Sequence, residues 1–375
     1  MKKKLVIFHP AIAPYRIDFF NSLYDAFEAT FYFEFEDALE QSFAQDKLRG
    51  RLHFTPRFLS PGLFGIKNLR TEVISILRKE SPDIVFCSEY NIMGLLILFY
   101  KMLFNRELAI YTICDDSKDI AAKASCVKRI MRSIAIRFYT GIIVANNEVL
   151  SWYKNHFKAK HKFLYFPIIQ RDQEFRQLLD KALPISKTLA EQYQLHGKKI
   201  LLFVGRLTAV KNLSFLLRAL DYVIDTYPDT VLLLVGEGND RDTLEQEIKR
   251  LHLEKHVIFA GKKQGDELYA HYNLGQIFIL PSYYEPFGAV VNEALLAGCY
   301  TLCSSAAGAA CLIDPKSNGD RFDPVQLSDL TEKLQTALEH CDKIEQVSIK
   351  ENNMFQSYDQ YMISLLGQLE SIQKK

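Results

Sequence analysis

Apolar bursts of four to six residues alternate with stretches of helical periodicity along the chain. In the first half, bursts at 5–9, 31–35, 84–87, 108–112, 141–145 and 163–166 read as strands, and the periodic stretches 17–29, 73–79 and 127–138 read as helices. The second half repeats the pattern with bursts at 200–204, 231–235, 257–260, 277–280 and 300–303, each followed by a loop and a helix. Bursts without polar alternation belong to strands covered on both faces, and their alternation with helices builds parallel sheets with crossover helices. The stretch 171–197 is polar, helix-prone and free of bursts, so it separates two doubly wound α/β domains. The expected division is 1–183, 184–352 and a closing segment 353–375, whose helix over 358–369 packs back on the first domain. In such sheets ligands lie beyond the carboxyl ends of the strands, so the loops after the bursts hold the candidate chemistry.

Composition changes this picture little: 375 residues with 48% hydrophobic and 24% charged side chains suit two globular cores and argue against disorder. Charge matters more when taken by halves. Residues 1–185 hold 27 Lys and Arg against 20 Asp and Glu, whereas 186–375 hold 19 against 25. Only the first half is therefore suited to an anionic surface. Within it, 118–137 gathers Lys123, Lys128, Arg129, Arg132 and Arg137 among Ile, Val and Met. This is either a peripheral membrane helix reaching anionic lipid or a lipid-diphosphate acceptor, or a crossover helix with a solvated basic face. The cations are not interleaved with a stacking platform, which argues against nucleic acid as a partner. The seven cysteines show no C-x-x-C pair and no His at zinc spacing, and their apolar neighbours suit buried free thiols in a reducing cytoplasm. The apolar run 5–8 is too short for a signal peptide, and 92–104 is interrupted by Lys101 and falls short of a membrane span. The expected setting is the cytoplasm, with peripheral contact at the inner face of the cell membrane.

Three loops of the second half carry chemistry. The first reads Gly205-Arg206-Leu207-Thr208-Ala209-Val210-Lys211-Asn212 ahead of a helix from Leu213. A tight glycine turn, a guanidinium and an ammonium beside a helix start suit a diphosphate, although a solvated loop with two surface cations fits equally. The second, Gly236-Glu237-Gly238, lacks the third glycine of a dinucleotide fingerprint and reads alone as a turn. The third runs Pro281-Ser282-Tyr283-Tyr284-Glu285-Pro286-Phe287-Gly288-Ala289, with Glu293 just over a turn into the helix that stops at Gly298. Carboxylates accept bonds from vicinal hydroxyls, so Glu293 suits a ribose and Glu285 a hexose. Taken singly, each also reads as a solvated or capping glutamate.

In this order, each after a strand, these loops resemble retaining glycosyltransferase family 4, of the group 1 type, over about 199–324, including Asn318-Gly319 ahead of Asp323-Pro324. The resemblance implies a GT-B fold, two Rossmann-like domains facing across a cleft, with the nucleotide on the second. It implies that Arg206 and Lys211 bind the diphosphate, that Glu285 lies near the transferred sugar and that Glu293 holds the ribose. Gly205, Gly236 and Gly238 belong to the donor loops, the backbone of Phe287, Gly288 and Ala289 meets sugar and phosphate, and 257–261 with Phe259 flanks the base. No metal or other cofactor is implied, because the two cations stabilise the leaving diphosphate. The implied partners are a nucleotide diphosphate sugar, UDP favoured over GDP, and a glycan or lipid-linked acceptor of surface polysaccharide or glycolipid synthesis.

The first half departs from the family's glycine-rich first loop and reads His9-Pro10-Ala11-Ile12-Ala13-Pro14-Tyr15-Arg16. Arg16 is the candidate cation on the phosphate and acceptor side, or an ordinary first-turn cation. Asp115 or Asp116 either orients the attacking hydroxyl or caps the helix before Lys118, and Ser88-Glu89-Tyr90 stands in a similar position after its strand. Two other functions fit the same motifs. An epimerase or hydrolase would turn over the nucleotide sugar without acceptor, and a non-catalytic nucleotide-sugar-binding protein would tolerate loss of Glu285 or Lys211.

Overall fold

The computed structural model describes residues 2–36, 45–63, 69–88, 90–158 and 162–373. The chain forms two compact units, Met1–Gln170 with Asp359–Lys375, and Arg171–Tyr358. Each contains one parallel sheet with helices between its strands, the Rossmann-like pattern expected.

The first unit contains β1 (Lys4–His9), β2 (Glu28–Phe33), β3 (Arg57–Phe58), β4 (Ile84–Ser88), β5 (Ala109–Cys114), β6 (Gly141–Val144) and β7 (Phe163–Tyr165), in the order β3-β2-β1-β4-β5-β6-β7. Its helices are α1 (Ile17–Ala26), α2 (Gln45–Arg49), α3 (Glu72–Glu80), α4 (Ile92–Phe104), α5 (Lys118–Ala122), α6 (Cys126–Phe138) and α7 (Asn147–His156). The core joins Val6, Phe8, Val85, Ile110 and Val144 of the sheet to Val73, Leu77 and Ile97 of the helices. The chain moves outward from β1 to β3, then resumes at β4 on the other side of β1. At such a reversal the loops diverge and leave a crevice.

Two expectations are adjusted here. The helix expected through 29 ends at Ala26, because Lys4 pairs with Glu28 and the parallel ladder runs on to His9 with Phe33. Sheet pairing overrides the weak helical preference of Glu28-Ala29. The strand β3 has only two residues at the sheet edge, too few to leave a burst.

The second unit contains β8 (Lys199–Val204), β9 (Thr230–Val235), β10 (Val257–Gly261), β11 (Ile277–Leu280), β12 (Tyr300–Ser304) and β13 (Gly319–Phe322), in the order β10-β9-β8-β11-β12-β13. Its helices are α8 (Asp172–Gln192), α9 (Leu213–Ile224), α10 (Arg241–Arg250), α11 (Asp266–Leu274), α12 (Val290–Leu296) and α13 (Leu327–Glu339). The reversal lies between β8 and β11. The helix α8 fills the polar stretch between the sheets and passes through Pro184. At the far edge, β13 is read from Gly-Asp-Arg-Phe, a strand with no apolar burst. Its Gly319 is required, since a Cβ there would lie 2.0 Å from the Thr301 carbonyl oxygen. The last helix, α14 (Tyr358–Gln373), belongs to the first unit from Asp359 on, where Tyr361 packs edge-on to Tyr165 at 5.9 Å.

Cys87, Cys114, Cys299 and Cys303 are buried as expected, Cys126 is exposed, and Cys311 and Cys341 are half-buried. Burial pushes the thiols of Cys87 and Cys299 up to about 12 and about 11, which leaves them unreactive. Among the described residues no helix is long and apolar enough to cross a membrane.

Candidate functional site

The reversal in the second sheet collects the sequence motifs. From the end of β8 the backbone is tied to the next loop: Gly205 N–H donates to the Val235 carbonyl at 3.0 Å, and Leu207 N–H to that of Glu237 at 2.9 Å. The glycines make this approach possible. A Cβ on Gly236, whose φ is +149°, would lie 1.8 Å from the Gly205 carbonyl oxygen, and one on Gly238 would lie 2.1 Å from that of Leu207. Gly-x-Gly is therefore a brace under the Arg206 loop, a backbone contact that no side chain permits. Arg206 itself is exposed and makes no side-chain hydrogen bond or ion pair among the described residues.

The loop continues through a short 3₁₀ turn ending at Lys211. Asn212 follows in the left-handed region at φ 57°, and its side-chain amide donates to the Pro324 carbonyl at 3.0 Å, so α9 starts from a fixed point. Lys211 is thereby held against β11, and its ammonium pairs with the Glu285 carboxylate. These side chains are only 15% and 14% exposed, so the pair is shielded and stronger than a surface bridge.

Glu285 is fixed by backbone on both sides. Tyr283 N–H donates to the Val210 carbonyl at 3.0 Å, Gly308 N–H donates to the Glu285 carbonyl at 3.1 Å, and Glu285 forms a bridge with Ala307. Gly288 takes φ +93° to make the turn into α12, where Ala289 is the capping residue. The Phe287 side chain is buried, which leaves only its backbone for a ligand.

On α12, Glu293 Oε2 accepts a 2.6 Å hydrogen bond from the phenol of Tyr272 on α11. Burial, and then the Glu293 charge, push the Tyr272 phenol well above its ordinary range, so it stays a neutral donor. Sequence reading missed Tyr272, since nothing in its neighbourhood distinguishes it from a core aromatic. Two other missed groups are the hydroxyls of Thr208 and Ser282, whose buried oxygens have no hydrogen-bond partner among the described residues. They follow β8 and β11, the strands flanking the reversal. Phe259 of β10 lies 4.6 Å beneath the guanidinium of Arg241, which Glu245 steadies at 2.9 Å.

In the first unit Arg16 is buried and its guanidinium pairs with Asp115. Asp116 is buried too, but its partner is Lys128 at 2.7 Å, which anchors it to α6. At the start of the next helix Ile120 N–H donates to the Ser117 hydroxyl at 3.4 Å. Arg132 is not on the basic face: it is buried over Trp152 at 4.9 Å and donates to the Ala121 carbonyl at 2.7 Å. Of the Ser88-Glu89-Tyr90 run, Tyr90 is hydrogen-bonded to Tyr153 at 2.7 Å, and Glu89 lies outside the described residues.

Cations and carboxylates thus gather at the strand ends of a doubly wound sheet, the place where such sheets hold their ligands. Over its whole length the chain is similar in fold to HepE of Anabaena in complex with UDP, with TM-score 0.70, 18% identity and coverage of 99% of this chain and 98% of that one. That fold is GT-B. Residues 186–354, in the second unit, match the model of the family Glycosyl transferases group 1. An uncharacterized glycosyltransferase of Methanocaldococcus jannaschii is 37% identical over 122 residues, 32% of this chain and 31% of that one. The sulfoquinovosyl transferase SQD2 of Arabidopsis thaliana is 31% identical over 144 residues, 38% and 27% of the two lengths. The chain thus matches about a third of the length of these curated relatives.

Proposed function

We propose that the protein is a retaining, metal-independent glycosyltransferase of family 4. It moves a sugar from a nucleotide diphosphate donor, UDP before GDP, to a glycan or lipid-linked acceptor of surface polysaccharide or glycolipid synthesis. The observation that carries this reading is the placement of Arg206, Lys211 and Glu285 around one strand-order reversal, within a unit that matches a transferase family. Similarity in fold to a protein crystallised with UDP supports the choice of base.

Arg206 grips the diphosphate as a bidentate donor and Lys211 supplies a compact charge where the leaving phosphate develops. Glu285, at Lys211, accepts bonds from the sugar, and Glu293 does the same for the ribose with Tyr272 holding it in place. The acceptor hydroxyl attacks from the leaving-group side, the glycosidic bond to phosphate breaks, and the leaving phosphate takes the hydroxyl proton. The test is a thermal-shift screen against UDP, GDP, ADP and their sugar conjugates. Stabilisation by UDP and UDP-sugars is expected; selective stabilisation by another base would change the donor, and no shift at millimolar ligand would remove the donor site.

The acceptor setting proposed is the inner face of an anionic membrane. On α6, Val127, Ile130 and Phe138 are exposed, with Arg129 and Arg137 beside them and Arg137 over Phe138 at 5.5 Å. Exposed Lys123 precedes the helix, while Phe99, Met102, Leu103 and Phe104 are exposed on α4. Each Lys or Arg at an anionic leaflet is worth about 1 kcal/mol, so these three cations favour anionic over neutral vesicles by about a hundredfold. Co-sedimentation should show binding to phosphatidylglycerol vesicles that salt weakens and Ile130→Glu reduces. Equal binding to pure phosphatidylcholine would refute the charge argument.

A further inference from the structure

The donor loops follow the carboxyl ends of the second sheet's strands. At the opposite edge, where Gln276 leads into β11, lies a cavity of about 730 Å³. One wall is the end of α11 at Asn273 and Leu274, and the other is the irregular segment 342–350. Two half-buried cations hold helix ends here. Lys350 Nζ donates to the Asn273 carbonyl of α11 at 2.7 Å, and the Arg176 guanidinium donates to the Leu296 carbonyl of α12 at 3.1 Å. Neither forms an ion pair among the described residues.

A helix end carries about −0.5 of a charge, so two cations on two such ends leave roughly one positive charge unbalanced. The neighbours do not supply the difference. The groups that act on Lys350 are the Cys299 and Cys341 thiols and Arg176 itself. Burial pushes both thiols up to about 11, so they stay neutral at physiological pH. Lys343 is taken up by Asp229, and the exposed Asp342 and Glu345 are not among the groups acting on Lys350. Burial first, with the Arg176 charge adding to it, lowers the Lys350 pKa, the mark of a cation short of a counter-ion. Beyond its bond to Asn273, the ammonium has two N–H groups left to donate. The Ser348 hydroxyl on the same wall makes no hydrogen bond among the described residues. A cavity of this size takes a small metabolite rather than a bare ion.

We propose that this cavity binds a phosphate ester of a small metabolite, its phosphate on Lys350 and Ser348 with the charge of Arg176 behind it. The site goes beyond the transferase reading and uses none of the donor residues. Asn273 adjoins Tyr272 in the chain, so an occupant bears on the helix that steadies Glu293, as an effector rather than a substrate.

The experiment uses the full chain with labelled lysine observed at Cε, the Lys350 and Lys211 signals assigned by Lys350→Gln and Lys211→Ala. Glucose 1-phosphate and inorganic phosphate are titrated separately at constant ionic strength. Both should shift the Lys350 signal, glucose 1-phosphate at the lower concentration, and the shift should persist in Lys211→Ala, where the donor site is impaired. Adding Lys350→Gln to Lys211→Ala should weaken glucose 1-phosphate binding about tenfold by calorimetry, the worth of one charge-assisted hydrogen bond. Glutamine keeps an N–H for the Asn273 carbonyl and removes the unbalanced charge. The melting temperature of Lys350→Gln without phosphate should therefore not fall. An unmoved Lys350 signal, or a movement that disappears in Lys211→Ala, would overturn the proposal. A lower melting temperature in phosphate-free Lys350→Gln would overturn it as well, by showing that the ammonium serves the fold. Failure of UDP to move the Lys211 signal, with the Lys350 response intact, would instead fault the donor reading alone.

Discussion

Lys211→Ala should release nucleotide diphosphate about a hundredfold more slowly, a loss of ~3 kcal/mol in transition-state stabilisation. The magnitude follows from where the side chain sits. Its side chain is only 15% exposed, so water cannot take over its proposed role at the leaving phosphate as it would at a surface. The change also strips Glu285 of its partner, leaving a mostly buried carboxylate uncompensated beside an anionic donor. Both effects act in the same direction, and donor affinity should fall along with turnover. Product release from the nucleotide sugar found by the thermal-shift screen, followed at saturating donor, measures it. Turnover within a factor of three of the unaltered enzyme would end the assignment of Lys211 to the leaving group.

Gly236→Ala should be the most damaging single methyl in the second unit. At φ +149° the position already suits glycine, and the added carbon would lie 1.8 Å from a carbonyl oxygen, far inside contact distance. No flexible side chain can yield there, because the obstacle is the backbone of Gly205. The Arg206 loop must move, breaking the bonds that Gly205 and Leu207 make to the neighbouring loop. Overpacking and backbone strain of this kind together cost ~3 kcal/mol, which for a unit of this size corresponds to a melting temperature lower by roughly 6–12 °C. UDP should then stabilise the protein less than it does the unaltered chain, because the loop proposed to hold the diphosphate is displaced. A melting temperature within 2 °C and undiminished UDP stabilisation would show that the two loops are not braced as described. The same substitution at Gly197, where a Cβ meets nothing within 4 Å, controls for backbone conformation without the clash.

Most strands were legible as runs of four or more apolar residues, although α4 carries such a run as well, and the loops at both reversals were legible too. What escaped had little apolar signal to give. The polar β13 is held as an edge strand by pairing with β12, and β2 begins early because β1 supplies a partner for Glu28. The motif residues were legible as a set in the second unit, where spacing along one chain carries the information. Their partners were not. Lys211 meets Glu285 across 74 residues, and Arg16 meets Asp115 across 99, contacts fixed by sheet order rather than by any local pattern. The basic stretch shows the opposite failure: charge count suggested a uniform face, but Arg132 is turned inward and Lys128 is tied to Asp116. Composition cannot distinguish a solvated cation from one that packs against an aromatic ring.

The contact between Tyr272 and Glu293 spans two consecutive helices, α11 and α12, with β10 just before them and the Gly298 stop just after. On the proposed reading, everything that selects base and ribose is encoded in one uninterrupted stretch of about forty codons. Recombination between related genes that exchanged this stretch would transplant these residues together. Several seams would need matching, because Glu285 must still find Lys211 and Ala307, Tyr283 the Val210 carbonyl and Phe259 the Arg241 guanidinium, all outside the exchanged piece. Lineages that diversify their sugars by shuffling are therefore expected to vary within this block while keeping those outside partners in register.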